Sequence, residues 1–116
     1  MSARQALVLI DLQNDFCPGG ALAVAEGDAT IAVANRLAAE FRQRGEPVIA
    51  TFDWHPLGHG SFASTCGNKP GSCGELDGLP QVWWPDHCTQ HSAGAELHQI
   101  GRASCRAKCR SRWSPY

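Results

Sequence analysis

The chain has 116 residues, of which 43% are hydrophobic and 18% are charged, and its formal net charge is -1. This length predicts one domain, and the composition excludes disordered, collagen-like and membrane-spanning chains. No apolar run exceeds the five residues of residues 6–10, far fewer than the roughly 20 residues of a membrane helix, and no secretory signal is recognisable. We therefore predict a cytoplasmic protein with no membrane partner.

The first half of the chain predicts a strand, a helix and a second strand. Residues 6–10 (ALVLI) form a continuous apolar run, which is typical of a strand covered on both faces of a parallel sheet. Asp28 is predicted to cap a helix, and Gly45 is predicted to end it. Residues 47–51 form a second apolar strand, so the order of elements indicates an α/β fold. The helix is identified by apolar residues at helical spacing: Ile31, Ala34, Leu37, Ala38 and Phe41.

The second half predicts little regular structure. Residues 52–91 contain no convincing helix or strand, and such a length of loop is usually functional. Residues 93–98 are predicted to begin a helix, after which no helical or strand periodicity follows. Two strands and one helix are too few for a sheet that is buried on both faces. We therefore expect an incomplete fold whose first strand lacks a neighbour, with an exposed apolar edge that favours self-association.

Charge divides the chain near residue 99. All 11 acidic residues precede this point, whereas residues 99–116 contain five basic residues and no acidic one. A basic tail can contact nucleic acid, but this interpretation is not favoured. The abrupt change is interpreted instead as a shifted reading frame or a truncation, with residues 99–116 as a disordered or frameshifted tail. The six cysteines are expected to be free thiols, because cytoplasmic compartments are reducing.

A metal site is one interpretation of the end of the second strand. Residues i and i+2 of an extended segment project to the same side, so Asp53 and His55 converge, and His87 offers a third ligand. Two histidines and a carboxylate suit Zn²⁺, Fe²⁺ or Mn²⁺. The alternative is that these histidines are surface or hydrogen-bonded core residues. His59 is a candidate for an extra ligand.

Other residues near these segments also have two interpretations. Asp11 directly follows the first strand, where a carboxylate can act as a general base or simply stabilise a turn. Aromatic side chains flank the polar groups and could form walls for a flat ring substrate, or they could fill the core. These aromatic residues are Phe16, Trp54, Trp83 and Trp84.

The chain contains four segments in a fixed order: LVLIDLQNDFCPGGALAV, VIATFDWHP, HGSFAS and LDGLPQVWWPDHCTQHSAGAELH. Their residues and spacing resemble the nicotinamidase/pyrazinamidase family of isochorismatase-like hydrolases. The resemblance implies a partial parallel-sheet α/β fold of isochorismatase-like (Rossmann-like) type, truncated after the metal-binding loop region. Residues 1–98 would then be the amino-terminal part of such a domain.

The resemblance also implies roles for individual residues. Members of this family are cysteine amidases that hydrolyse nicotinamide to nicotinate and ammonia in NAD salvage, and pyrazinamide is a related substrate. Asp11 matches the carboxylate that activates the catalytic thiol, whereas Phe16 and Trp84 match aromatic residues that pack on the substrate ring. The metal ligands match Asp53, His55 and His87, and the metal is zinc, with iron and manganese as alternatives.

The resemblance stops before the other two members of the family's catalytic triad, a lysine and the nucleophilic cysteine. Cys17 and Cys88 lie at positions that do not match the nucleophile, and no role is carried over to Lys108, Cys105 or Cys109. We therefore expect the chain alone to be inactive, since loss of a nucleophile removes nearly all of the rate. The alternative is a non-catalytic remnant that binds metal or nicotinamide.

Overall fold

The computed structural model describes residues 3–99 and the backbone of residues 107–111. The strands are β1 (Leu7–Leu9), β2 (Val48–Asp53), β3 (Cys73–Leu76), β4 (Leu79–Val82) and β5 (Ala107–Ser111), and the helices are α1 (Ala29–Gln43) and α2 (Ala63–Cys66). One turn of 3-10 helix, Asn14–Phe16, follows β1. Within these residues no helix has both the length and the apolar character needed to cross a membrane.

The predicted strand, helix and strand form a parallel unit. β1 and β2 pair in parallel, with Leu7 opposite Val48 and Leu9 opposite Ala50. The helix α1 connects them and packs against one face, because its apolar residues recur at helical spacing. The core consists of buried apolar side chains from all three elements: Leu9, Ile31, Ala34, Ala38, Val48, Ala50 and Phe52. The α/β fold predicted from the sequence is therefore confirmed.

The carboxyl end of α1 matches the prediction fully, whereas the amino end matches it only in part. Gly45 adopts the left-handed conformation, with φ of 71°. Its N–H and that of Glu46 donate to the carbonyls of Arg42 and Phe41, which is the Schellman arrangement. At the other end, the helix begins directly after Asp28, but the side chain of Asp28 makes no capping hydrogen bond. The predicted helix start is confirmed, whereas the proposed capping contact is wrong.

One face of the β1–α1 unit remains open in the described part of the chain. Val8 is 48% exposed and Ile10 is 67% exposed, although the apolar run predicted a strand covered on both faces. A groove of about 520 Å³ runs between β1 and α1, and its lining is almost entirely apolar. The reason is that α1 covers one face only, and no second layer among the described residues packs on the other face.

The tail contains a strand that the sequence pattern did not predict. The backbone of β5 pairs in parallel with β2, from Ala107 opposite Ile49 to Ser111 opposite Asp53. The prediction of a tail without regular structure is therefore wrong for residues 107–111. The open edge of β2 supplies hydrogen-bond partners to a segment that has no hydrophobic pattern of its own. Cys105 lies outside the described residues, and the shifted reading frame stays a prediction.

Several further elements differ from the prediction. The short helix α2 forms in a stretch where no helix was predicted. β3 and β4 form an antiparallel hairpin, joined by Asp77 and Gly78 with φ of 49° and 80°. An Asp-Gly pair with both residues at positive φ is a preferred two-residue hairpin turn, and the sequence prediction missed it. Residues 93–98 form turns and not the predicted helix, because the backbone of Leu97 pairs with that of Gln13 in an antiparallel bridge.

Candidate metal centre

The site forms where β2 ends beside a loop from later in the chain. Asp53 is the last residue of β2, and His55 follows it in an extended segment. The N–H of His55 donates to the carbonyl of Cys88 at 2.9 Å, and the N–H of Gln90 donates to the carbonyl of His55 at 2.8 Å. These two bonds align the loop with the end of β2, so that His87 lies beside His55.

The three predicted ligands converge. Oδ1 of Asp53 lies 2.9 Å from Nε2 of His55, and Oδ2 of Asp53 lies 3.2 Å from Nε2 of His87. One ligand atom from each residue falls within 4.8 Å of the other two. Both histidines are buried, so the cluster is a compact set of two imidazoles around one carboxylate.

The electrostatics of the cluster follow from this geometry. Burial raises the pKa of Asp53, but the hydrogen bonds from His55 and His87 outweigh this effect and hold its pKa well below the ordinary value. Burial lowers the pKa of His87, but the hydrogen bonds to Asp53 and to the carbonyl of Pro85 together raise it above the ordinary value. These shifts have one geometric cause, because each imidazole Nε2 lies within hydrogen-bond distance of a different oxygen of the same carboxylate.

The donor set fits a divalent cation. Nδ1 of His87 lies 2.7 Å from the carbonyl oxygen of Pro85, which fixes the ring and directs Nε2 toward Asp53. Such a second hydrogen bond on a histidine ligand is usual in metal sites, because it sets the tautomer and the ring orientation. Two imidazole nitrogens and a carboxylate oxygen suit Zn²⁺, Fe²⁺ or Mn²⁺ and leave coordination positions open. A cation bound by these atoms would replace the contacts between the imidazoles and the carboxylate.

His59 lies next to this cluster but outside the group of three. Its ring centroid is 4.7 Å from that of His55. Nδ1 of His59 lies 2.8 Å from Oγ of Ser61 and 3.2 Å from the backbone nitrogen of Ser61, so this side of the ring faces Ser61. Burial and the neighbouring His55 lower the pKa of His59, which favours the neutral ring. His59 therefore borders the site as a neutral imidazole.

A cavity of about 350 Å³ opens onto the cluster. Its lining combines the three candidate ligands with polar and apolar neighbours: Asp53, His55, His59, Ser61, Leu76, Gln81, Trp84 and His87. Trp84 is 39% exposed, so its indole offers an apolar wall to a ligand. The size and the mixed lining are those of a pocket for a small molecule.

The other aromatic residues named from the sequence are distributed around the site. The ring centroid of Phe16 lies 5.9 Å from that of His87. Trp54 makes an edge contact with the ring of His91, and Trp83 is buried against the β3–β4 hairpin. Neither tryptophan lines the cavity. Trp84 lines it directly, and Phe16 borders one of its histidines.

Sequence reasoning missed Phe62, which is fully buried beneath the site. Its ring centroid lies 5.3 Å from that of His55, 5.5 Å from that of His87 and 5.7 Å from that of His59. Phe62 therefore forms the floor on which the histidines pack. The only available signal was its place in the HGSFAS segment, because no periodicity marks it as a core residue.

Asp11 lies apart from the cavity lining, at the carboxyl end of β1. The hydroxyl of Thr51 donates to Oδ1 of Asp11 at 2.6 Å, and the N–H of Asp11 donates to Oγ1 of Thr51 at 3.1 Å. Asp11 has a φ of 51°, a left-handed conformation that is uncommon for a residue other than glycine. These reciprocal bonds fix its carboxylate at the edge shared by β1 and β2.

Cys17 and Cys88 are both buried. Burial raises the pKa of the Cys88 thiol, and the carboxylates of Asp53, Asp15 and Asp11 raise it further. Burial and Asp28 also raise the pKa of Cys17. Since the thiolate is the reactive form, these shifts disfavour a nucleophilic role for either thiol.

Comparison with known proteins connects this site to a family. Residues 5–99 match the isochorismatase domain model. The nicotinamidase of Escherichia coli (strain K12) is 64% identical over 96 residues, which are 83% of this chain and 45% of that protein. The chain thus spans about half the length of this relative.

Two solved structures agree with this match. A nicotinamidase/pyrazinamidase of Acinetobacter baumanii has a TM-score of 0.79 and 44% identity, covering 90% of this chain and 50% of that one. A pyrazinamidase of Pyrococcus horikoshii in complex with zinc has a TM-score of 0.67 and 34% identity, covering 96% of this chain and 55% of that one. By its matched residues and its fold, the chain belongs to the isochorismatase domain family.

Proposed function

We propose that this chain is the amino-terminal portion of a nicotinamidase-type amide hydrolase. The complete enzyme would convert nicotinamide and water into nicotinate and ammonia, and pyrazinamide would be a related substrate. The observation that carries the proposal is the Asp53, His55 and His87 cluster at a cavity bordered by Trp84. The 64% identity to the E. coli nicotinamidase supports this choice of substrate class.

The proposed cofactor is a divalent metal ion, with zinc first and iron or manganese as alternatives. Asp53, His55 and His87 would hold the ion. When bound, the ion would supply a Lewis-acid position for the ring nitrogen of a pyridine or pyrazine carboxamide. Zinc is favoured because the similar pyrazinamidase of Pyrococcus horikoshii was solved in complex with zinc.

The residues of the cavity have complementary roles in this proposal. Phe16 and Trp84 are the proposed contacts to a flat substrate ring: Trp84 lines the cavity, and Phe16 packs against His87. Asp11 is the proposed catalytic carboxylate, which would accept the proton of the nucleophilic thiol. The hydroxyl and backbone contacts with Thr51 hold this carboxylate in one orientation for that transfer.

The lysine and the nucleophilic cysteine of the family are not assigned to residues of this chain. We therefore infer that the 116 residues alone do not hydrolyse nicotinamide. The alternative function is a non-catalytic remnant that binds metal or nicotinamide. We also propose that the chain self-associates through the open β1–α1 face. The cytoplasmic location stays a prediction from the sequence.

A chimera tests the proposal. Residues 1–98 of this chain are joined to the remaining carboxyl-terminal half of the E. coli nicotinamidase, and ammonia release from nicotinamide is measured. We expect activity in the chimera, loss of at least about 10³-fold of that activity in Asp11→Asn, and none in the 116-residue chain. A folded, metal-loaded chimera that releases no ammonia would contradict the substrate, and turnover by the 116-residue chain would contradict the inferred inactivity.

A further inference from the structure

Gln13 makes a set of hydrogen bonds that converge on a candidate metal ligand. Its side chain is completely buried. Oε1 accepts the backbone N–H of Asp53 at 2.8 Å, and Nε2 donates to the backbone carbonyl of Asp53 at 2.8 Å. Nε2 also donates to the carbonyl of Ala95 at 2.8 Å. One carboxamide thus satisfies both backbone polar groups of Asp53.

The position of Gln13 explains why this contact exists. The ladder between β1 and β2 ends with Leu9 opposite Ala50, three residues before Asp53. Beyond this point β1 no longer supplies partners on that edge of β2. The carboxamide of Gln13 takes the place of a neighbouring strand and extends the ladder to the residue that carries the ligand.

Asp15, two residues later, makes a similar contact with the other half of the cluster. Its Oδ2 accepts the backbone N–H of Cys88 at 2.7 Å, and its Oδ1 accepts the N–H of Ala21 at 3.3 Å. Cys88 directly follows His87 and has a φ of 46°. This left-handed conformation is costly for a residue other than glycine, so a bond that stabilises it also fixes the direction of the preceding His87.

We propose that Gln13 and Asp15 are positioning residues of the metal centre, which hold the backbones of Asp53 and of the His87–Cys88 segment at the separation that a cation requires. This inference rests on the proposed metal site. Residues that orient ligands affect metal affinity because misplaced ligands must be reordered on binding. Both side chains come from the turn after β1, so this turn acts as a common template for two ligands that are distant in sequence.

The test measures Zn²⁺ affinity and the Co²⁺ absorption spectrum of the full 116-residue chain. Gln13→Met removes all three hydrogen bonds at similar length, and Gln13→Glu removes the two donors. We expect each to weaken Zn²⁺ binding by about 10- to 100-fold and to shift the Co²⁺ bands. The matched control is Ile31→Ala, which opens a cavity in the α1 core away from the site. It should lower the melting temperature and leave both metal readouts unchanged.

A second pair of variants separates the hydrogen bond of Asp15 from its charge. Asp15→Ala and Asp15→Asn both remove the negative charge, but asparagine keeps a carbonyl acceptor for the N–H of Cys88. We expect the alanine variant to lose about tenfold in Zn²⁺ affinity and the asparagine variant to recover part of that loss. Equal affinities in the two variants would overturn the positioning role of Asp15. This pair remains informative where the Gln13 variants do not fold.

The outcomes also distinguish this inference from the proposed metal site. Folded Gln13 variants that bind Zn²⁺ as tightly as the unsubstituted chain would overturn the positioning role and leave the metal site intact. An equal loss of affinity in Ile31→Ala would overturn it as well, since the effect would then be general destabilisation. A folded, unsubstituted chain that binds neither Zn²⁺ nor Co²⁺ would overturn the metal site and this inference together.

Discussion

Two neighbouring regions of this protein are stabilised by different interactions. In the strand-helix layer, formed by β1, α1 and β2, apolar side chains pack around a core that includes Ala38 and Val48. The loop region, residues 54–62 and 83–98, is instead held by polar side chains from outside it, since Gln13 and Asp15 bind its backbone at Ala95 and Cys88. The candidate ligands lie across the boundary, with Asp53 on the layer and His87 in the loop region. The site therefore depends on both kinds of interaction, and substitutions can separate them.

The largest expected effect comes from Phe62→Ala. This change removes the buried ring beneath His55, His59 and His87 and should lower the free energy of unfolding by about 3–5 kcal/mol. Because the histidine rings lose the ring against which they pack, the Zn²⁺ affinity should fall too. Urea unfolding and metal titration measure the two effects.

The control for Phe62→Ala lies in the strand-helix layer. Val48→Ala also creates a cavity, at the start of β2, and should cost about 2 kcal/mol of unfolding free energy. It should leave Zn²⁺ affinity unchanged under conditions where the protein is folded. An equal loss of Zn²⁺ affinity in both variants would show that metal binding depends on the overall stability of the protein and not on the local contacts of Phe62.

The next effect concerns the close approach of Gly94 to Asp15. A Cβ at Gly94 would lie 2.2 Å from Oδ2 of Asp15, so the carboxylate would have to leave the N–H of Cys88. We expect Gly94→Ala to cost about 2–3 kcal/mol of unfolding free energy, measured by urea unfolding. In the matched control, Gly60→Ala, the new Cβ meets Leu76 at an ordinary 3.5 Å, and a change within about 0.5 kcal/mol is expected. Similar losses in both variants would refute the steric argument.

The sequence predicted the strand-helix layer well because its apolar residues recur at the spacing of a helix or form continuous runs. The spacing of Ile31, Ala34 and Ala38 marks the buried face of α1, and the apolar runs mark β1 and β2. Left-handed Gly45 ended the helix where expected. In each case the signal lies within one element, so it is visible without knowledge of the tertiary structure.

The loop region was predicted only in part because its contacts are specific and distant in sequence. The spacing of Asp53 and His55 indicated that they converge, and His87 joins them. Gln13 and Asp15 were missed, since their partners Asp53, Ala95 and Cys88 lie tens of residues away. Phe62 was missed because no periodicity marks it as a core residue. The β5 strand was missed for a related reason: its partner is the open edge of β2, and its own five residues carry no hydrophobic pattern.

The smallest effect on folding stability is expected at the open apolar face. Val8→Thr with Ile10→Thr keeps β-branched side chains, which suit a strand, but replaces two exposed apolar groups beside the groove between β1 and α1. The free energy of unfolding should change by less than about 1 kcal/mol. If this face mediates self-association, the dissociation constant measured by sedimentation should rise by about tenfold.

Val24→Thr is the matched control for this face. Val24 is 58% exposed, comparable with Val8 and Ile10, but it does not line the groove. Its substitution should therefore leave self-association unchanged. A monodisperse monomer at high concentration in the unsubstituted chain would contradict the expectation at once. A shift caused equally by Val24→Thr would mean that exposed apolar area in general promotes association, and that the groove has no special part in it.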